Sequence, residues 1–221
     1  NASLLFGSGK TLYSTEGSSQ CIRAMVYLAT LEKRSGARPY ILAGRNAHRT
    51  FIYALALCDI DVRWLIPEKA ISLCRCDITA RDIKKALQTA DRLPSAVYVT
   101  SPDYLGNMLD IRSIADACHA FDVPLIVDNA HGAYLKFLSK PLHPLECGAD
   151  MCCDSAHKTF PVLTGGAYLH ISRDAPQFFE NAKNAMALFG STSPSYLILR
   201  SLDLCNAYLA GTYPEKLERI A

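Results

Sequence analysis

A chain of 221 residues, half of them hydrophobic, can bury one sizeable core with at most a small appendage. Its 23 Lys and Arg against 21 Asp and Glu leave a net charge of +2, which gives no support for a nucleic-acid or anionic-membrane partner. No apolar run reaches the length of a membrane span, no secretory leader opens the chain, and no repeat or low-complexity tract is present.

Helix and strand patterns then alternate. "GSGKT" (7–11) ends like a phosphate-binding P-loop, but the leading glycine is replaced by Leu4 and the "LYST" that follows is strand-like, so that reading fails. In "TEGSSQ" (15–20), Gly17 supplies backbone freedom and Ser18 and Ser19 stand where a helix over 18–34 begins. Such serines cap a helix or, with its free N–H groups, cradle a phosphate. Cys21, Ala24, Met25, Leu28 and Leu31 share one face of that helix. Residues 40–43 read as a strand, 47–58 as a helix and 62–66 as a strand. Thr79 and Asp82 form a capping box that opens a helix over 80–91. Residues 95–100 are a β-branched and aromatic strand, and Ile111, Ile114, Ala115 and Cys118 mark the buried face of helix 111–121. Strands follow over 124–128, 149–153 and 166–171. The first residue is Asn and the last nine read as a helix that continues, so a fragment of a longer protein is expected.

Strand, helix, strand in succession predicts parallel pairing, and near-continuous apolar strands predict helices on both faces of the sheet. The expected fold is a three-layer α/β/α domain over 1–221 with a mostly parallel central sheet. Ligands in such sheets bind outside the carboxyl ends of the strands, which directs attention to Ser101, to Asp128 and to residues 155–158. In "VDNAHG" (127–132), Asp128 closes a buried strand and His131 follows three residues later. It is either a turn-capping carboxylate beside a satisfied histidine, or one that needs a cation or several donors. "GADMCCDSAHKTF" (148–160) turns abruptly from apolar to Asp154, Ser155, His157 and Lys158. Lys158 is either in a solvated loop or an ammonium at the mouth of the core, costly unless paired or neutralised.

The nine cysteines are an odd number, and Cys21, Cys58, Cys118, Cys152, Cys153 and Cys205 lie in apolar settings. Free thiols in a reducing cytoplasm are expected. The pair Cys74 and Cys76 has no second cysteine pair or histidine at zinc-site spacing, so no metal is expected.

A phosphate cradle, an Asp at one strand end and a Lys at another match the three handles of pyridoxal phosphate: phosphate, ring nitrogen and aldehyde. With "GRNAHRT" (44–50), "TSPDYLGNMLDI" (100–111), "VDNAHGAYLKF" (127–137), "GADMCCDSAHKTF" and "STSPSY" (191–196) in this order, the chain resembles fold-type-I pyridoxal-phosphate enzymes. The nearest resemblance is to the large cofactor-binding domain of the Orn/Lys/Arg decarboxylases. It implies that Lys158 is the Schiff-base lysine, no longer an ordinary buried ammonium, and that Asp128 pairs with the ring nitrogen. It implies further that His48 stacks on the ring and that His131 lies near the reacting carbon. Ser18 and Ser19 match the phosphate loop, with Ser155 and His157 assisting. Thr192 and Ser193 match a segment that reaches a neighbouring subunit's site.

The implied reaction is decarboxylation of a basic amino acid, arginine first and lysine or ornithine next, by a cytoplasmic homodimer or larger assembly. The family's N-terminal segment and C-terminal domain are not matched, so the chain alone is expected to turn over poorly. An aminotransferase or carbon–sulfur lyase of the same fold is the second reading, and a non-catalytic cofactor-binding or assembly domain the third.

Overall fold

The apolar runs pair into one sheet in a computed structural model of the chain, which describes residues 1–31, 37–67 and 72–220. The strands are β1 (Lys10–Ser14), β2 (Tyr40–Gly44), β3 (Asp61–Leu65), β4 (Ala96–Thr100), β5 (Leu125–Asp128), β6 (Met151–Asp154) and β7 (Ala167–Ile171). Among the described residues they form a seven-stranded sheet in the order β1-β7-β6-β5-β4-β2-β3. Five strands, β3 through β6 in that order, are mutually parallel, and β7 runs antiparallel to both β6 and β1. The helices are α1 (Ala2–Phe6), α2 (Gly17–Leu31), α3 (Arg49–Cys58), α4 (Ala80–Gln88), α5 (Ile111–His119), α6 (Ala156–Thr159), α7 (Phe179–Leu188), α8 (Tyr196–Ala210) and α9 (Tyr213–Glu218).

Successive side chains of a strand point to opposite faces, and both faces here are apolar. Ile41, Ala43, Tyr98, Ile126, Met151 and Cys153 pack with α2, α3 and α7. Their neighbours Leu42, Val97, Val99, Leu125, Val127 and Cys152 pack with α4 and α5. A third cluster joins Tyr168 of β7 to Phe6, Phe160, Leu202 and Cys205, which seats α1 and α8 beside β7. This is the expected three-layer α/β/α arrangement with a mostly parallel sheet.

Element ends shift for local reasons. The capping box of Thr79 and Asp82 forms, but α4 stops at Gln88, where the Thr89 hydroxyl takes up the Lys85 carbonyl, instead of continuing to 91. Strand β6 begins at Met151, not 149, because the Asp150 carboxylate turns to accept Leu125 N. The terminal helix closes at Glu218, and residues 32–34 of the predicted first helix lie outside the described residues. Lys10 and Thr11 of "GSGKT" enter β1, and Lys10 Nζ donates to Phe179 O at 2.7 Å. All nine cysteines are free of disulfides, and the half-buried Cys58 packs against the core cluster, in the apolar setting expected for it. Burial pushes the Cys118 thiol up to about 12, which keeps it protonated and inert. No helix among the described residues is long and apolar enough to cross a membrane.

The registers place Ser14 opposite Ala167, Tyr168 opposite Asp154, Cys153 opposite Asp128, and Asp128 opposite Thr100. The carboxyl ends of β1, β6, β5 and β4 therefore open on one edge of the sheet. The strand sequence reverses direction between β2 and β4, the place where open α/β sheets leave a crevice.

Candidate active site

A cleft of about 350 Å³ lies at that edge, lined by residues that follow β2, β4, β5 and β6 and by the start of α2. Gly17 takes a left-handed φ of 70°, and its N–H donates to Gly165 O at 2.7 Å, which fixes where α2 begins. Ser18 lines the cleft, and Ser155 Oγ donates to its Oγ at 2.7 Å. Ser19 instead turns to Thr50, 3.2 Å away. Two hydroxyls at the first turn of a 15-residue helix, beside its free N–H groups, suit an anion. His157 does not line the cleft; its Nδ1 donates to Gly166 O at 3.0 Å, behind the α2 start.

His48 precedes α3, and its Nδ1 accepts the Thr50 N–H at 3.3 Å. The cap fixes the ring while leaving it exposed in the cleft. Arg45, Asn46 and Arg49 flank it. Opposite, Asp128 is buried at the end of β5. Its Oδ2 accepts from Tyr98 Oη at 3.1 Å and its Oδ1 from Ala130 N at 3.1 Å. The Cys153 thiol approaches Oδ1 at 3.7 Å. All three donors are neutral, and among the described residues no cationic side chain pairs with this carboxylate. Tyr98 is held in turn by stacking on Phe51 of α3, with ring centroids 4.1 Å apart.

Lys158 lies in α6, directly after β6. It is exposed, which decides between the two readings of the sequence for the solvated one: the short helix carries it out of the core into the cleft. Its Nζ stands 3.1 Å from His131 Nε2. Burial and then the Lys158 charge lower the His131 pKa, so the imidazole is neutral near pH 7 and accepts from the ammonium. Tyr104 meets His131 edge-on at 5.6 Å.

Ser18, His48, Asp128, His131 and Lys158 are thus gathered into one cleft, with Ser155 one contact away through Ser18 and Ser19 two away through Thr50 and His48. Thr192 and Ser193 are not: both are exposed between α7 and α8 and touch no part of it. Sequence reading missed Tyr98, Tyr104, Thr100 and Arg45. Thr100 Oγ1 and Arg45 Nε are buried without hydrogen-bond partners, and both residues face the cleft. Arg45 and Tyr104 stood inside quoted motifs, whereas Tyr98 carried no signal beyond a phenol in a buried strand. Among the described residues, Asp128 is the one carboxylate in a lining that holds Arg45, Arg49, His48, His131 and Lys158.

The family model described as "Orn/Lys/Arg decarboxylase, major domain" matches residues 1–219. Two relatives from Bacillus subtilis (strain 168) are each 31% identical. One is the "Uncharacterized protein YaaO", matched over 97% of this chain and 44% of its own length. The other is "Arginine decarboxylase", matched over 93% and 41%. Lysine decarboxylase A from Pseudomonas aeruginosa shares the fold, with a TM-score of 0.75 at 20% identity over 99% of this chain and 31% of its own. The chain therefore spans less than half the length of these relatives.

Proposed function

The chain belongs to the Orn/Lys/Arg decarboxylase family, and on that premise we propose that it holds pyridoxal 5′-phosphate and serves the decarboxylation of a basic amino acid, arginine first and lysine or ornithine next. The observation that carries this reading is the buried Asp128 carboxylate, supplied with neutral donors only, in the same cleft as an exposed Lys158. These residues fit the group. Ser18, Ser155 and the start of α2 would hold the phosphate, Asp128 the protonated ring nitrogen, His48 the ring face, and Lys158 the aldehyde carbon.

When bound, pyridoxal phosphate supplies an electron sink for the pair left behind as carbon dioxide departs. Asp128 stabilises positive charge at the ring nitrogen from a buried position, where an opposite charge counts for more than in water. His131, neutral and 3.1 Å from Lys158 Nζ, would accept a hydrogen bond from that nitrogen and hold it facing the cleft. Among the described residues the lining offers no second carboxylate for a basic side chain, so we assign that contact to residues outside the described lining. Thr192 and Ser193, exposed on their own chain, are assigned to the cleft of a second copy in a symmetric assembly.

The test is borohydride reduction of the full-length protein with the cofactor, followed by peptide mapping, alongside carbon dioxide release from arginine, lysine and ornithine. A pyridoxyl label on Lys158 and release from one of the three is expected. A label confined to Lys10 or Lys136, or release from none of the three, overturns the reading.

A further inference from the structure

Directly beneath the cleft floor, the carboxylate of Asp154 ends β6 with no exposure to solvent and no part in the chemistry above. Its Oδ2 accepts from His143 Nε2 at 3.1 Å and from His170 Nε2 at 3.2 Å, and both histidines are fully buried. A carboxylate only accepts, so both Nε2 atoms carry hydrogen. Burial lowers the His170 pKa and leaves that ring neutral, so its Nδ1 accepts from Thr11 Oγ1, 2.8 Å away. Thr11 is in turn paired with Ser8 at 2.7 Å. For Asp154 itself, burial pushes the pKa up, but His143 and then His170 beside its carboxylate outweigh it and hold the group below the usual carboxylate range.

The other oxygen, Oδ1, accepts from Asn129 Nδ2 at 2.6 Å. Asn129 directly follows Asp128, and its carbonyl receives Gly132 N at 2.8 Å, closing the turn that carries His131. That turn has no slack: a Cβ on Gly132 would lie 2.2 Å from Asn129 Oδ1. The residue after Asp154 is Ser155, bonded to Ser18. One buried carboxylate thus joins the strand end that leads into Ser155 and Lys158 to the turn that bears Asp128 and His131.

We propose that Asp154, oriented by His143 and His170, is a positioning residue that locks these two walls of the cleft in register. It acts through Asn129 and touches neither substrate nor cofactor. That this alignment serves pyridoxal phosphate rests on the reading above; the alignment itself does not.

The test uses Asp154→Asn and Asn129→Ser in the full-length protein. With its one oxygen accepting from both histidines, Asn at 154 turns an Nδ2 donor against the Asn129 Nδ2 donor, and Ser at position 129 deletes only the link to the turn. In cofactor-free protein, hydrogen exchange of amides 128–133 should quicken about tenfold or more in both variants, while 41–44 and 96–99 keep their wild-type protection. With cofactor, both variants should bind pyridoxal phosphate about tenfold more weakly and shift the absorbance band of the bound group. If Asp154→Asn does not fold, Asn129→Ser carries the test. Unchanged exchange at 128–133 in a folded variant overturns the proposal. So does one equivalent of tightly held metal lost in Asp154→Asn, since His143, Cys152 and Asp154 bring three ligand atoms within 4.8 Å of one another. Wild-type protein that binds no pyridoxal phosphate would defeat the cofactor reading alone, because the exchange experiment needs none.

Discussion

Asp128 and Asp150 make an instructive pair. They stand at opposite ends of neighbouring strands, and each borders a cleft of similar size, about 350 Å³ at the carboxyl edge and about 360 Å³ at the amino edge. Both carboxylates are largely buried. Asp150 spends one oxygen on Leu125 N at 2.7 Å and on His119 Nε2 at 2.8 Å, so it stitches β5 to β6 and meets an ionisable partner. Asp128 has neutral donors alone and sits among five basic side chains that it does not pair with. Cleft volume does not separate the two edges. What separates them is whether the buried charge is already answered from within the fold.

The largest effect that follows is on Asp128→Asn. The amide keeps the shape but removes the charge, so turnover should fall about 100-fold or more, the scale seen when an electrostatic stabiliser is lost. Steady-state carbon dioxide release with saturating cofactor measures it, and near-normal turnover would erase the contrast with Asp150. Tyr98→Phe deletes one neutral donor to Asp128, and turnover should drop about two- to tenfold, as for one modest hydrogen bond. Asp150→Asn should leave turnover within about twofold while costing about 1–3 kcal/mol of stability in urea titration, through weakened or unsatisfied buried partners. A larger loss of turnover than of stability would mean that the amino edge also serves the reaction.

The smallest effect is on pH. His131 and His170 both have folded pKa values below the ordinary 6.5, chiefly through burial. The unfolded chain therefore binds more protons than the folded one between each lowered value and 6.5, and stability from these groups is complete above 6.5 and declines as pH falls through that window. The thermal midpoint should drop between pH 7.5 and 5.5, and His170→Gln should flatten the slope. An unchanged slope would return the acid sensitivity to the cleft side, at His131.

Local pattern carried the sequence reading a long way for the sheet and for the strand-end residues. "PLIVD" and "MCC" are apolar on both faces because both faces are covered, and a polar residue ending such a run has one direction left to point. The same logic found Asp128 and the segment leading to Lys158. It failed for contacts set by tertiary neighbours. The exposure of Lys158 was one of its two sequence readings, but the four-residue helical turn that carries it after β6 is announced by no periodicity. His143 and His170 stand 27 residues apart, and only the pairing of β6 with β7 brings His170 to Asp154. Helix α8 has apolar residues all round, so its buried stripe was not distinguishable from its exposed Leu197 and Leu204.

The antiparallel seam between β1 and β7 has a consequence for how the chain comes into being. Thr11 finds His170 across 159 positions of sequence. At ribosomal speeds of about 5–20 residues per second, roughly 8–30 s separate the synthesis of these two partners. Until β7 emerges, β1 has no neighbour in the sheet and Gly17 lacks the carbonyl of Gly165 that fixes the start of α2. The parallel strands β2 to β5 can assemble in that interval; the start of α2, proposed to hold a phosphate, cannot be fixed until Gly165 arrives. If the chain holds pyridoxal phosphate as proposed, a cofactor that reached the nascent chain early would meet Asp128 before a finished anion site, and its capture would await β7.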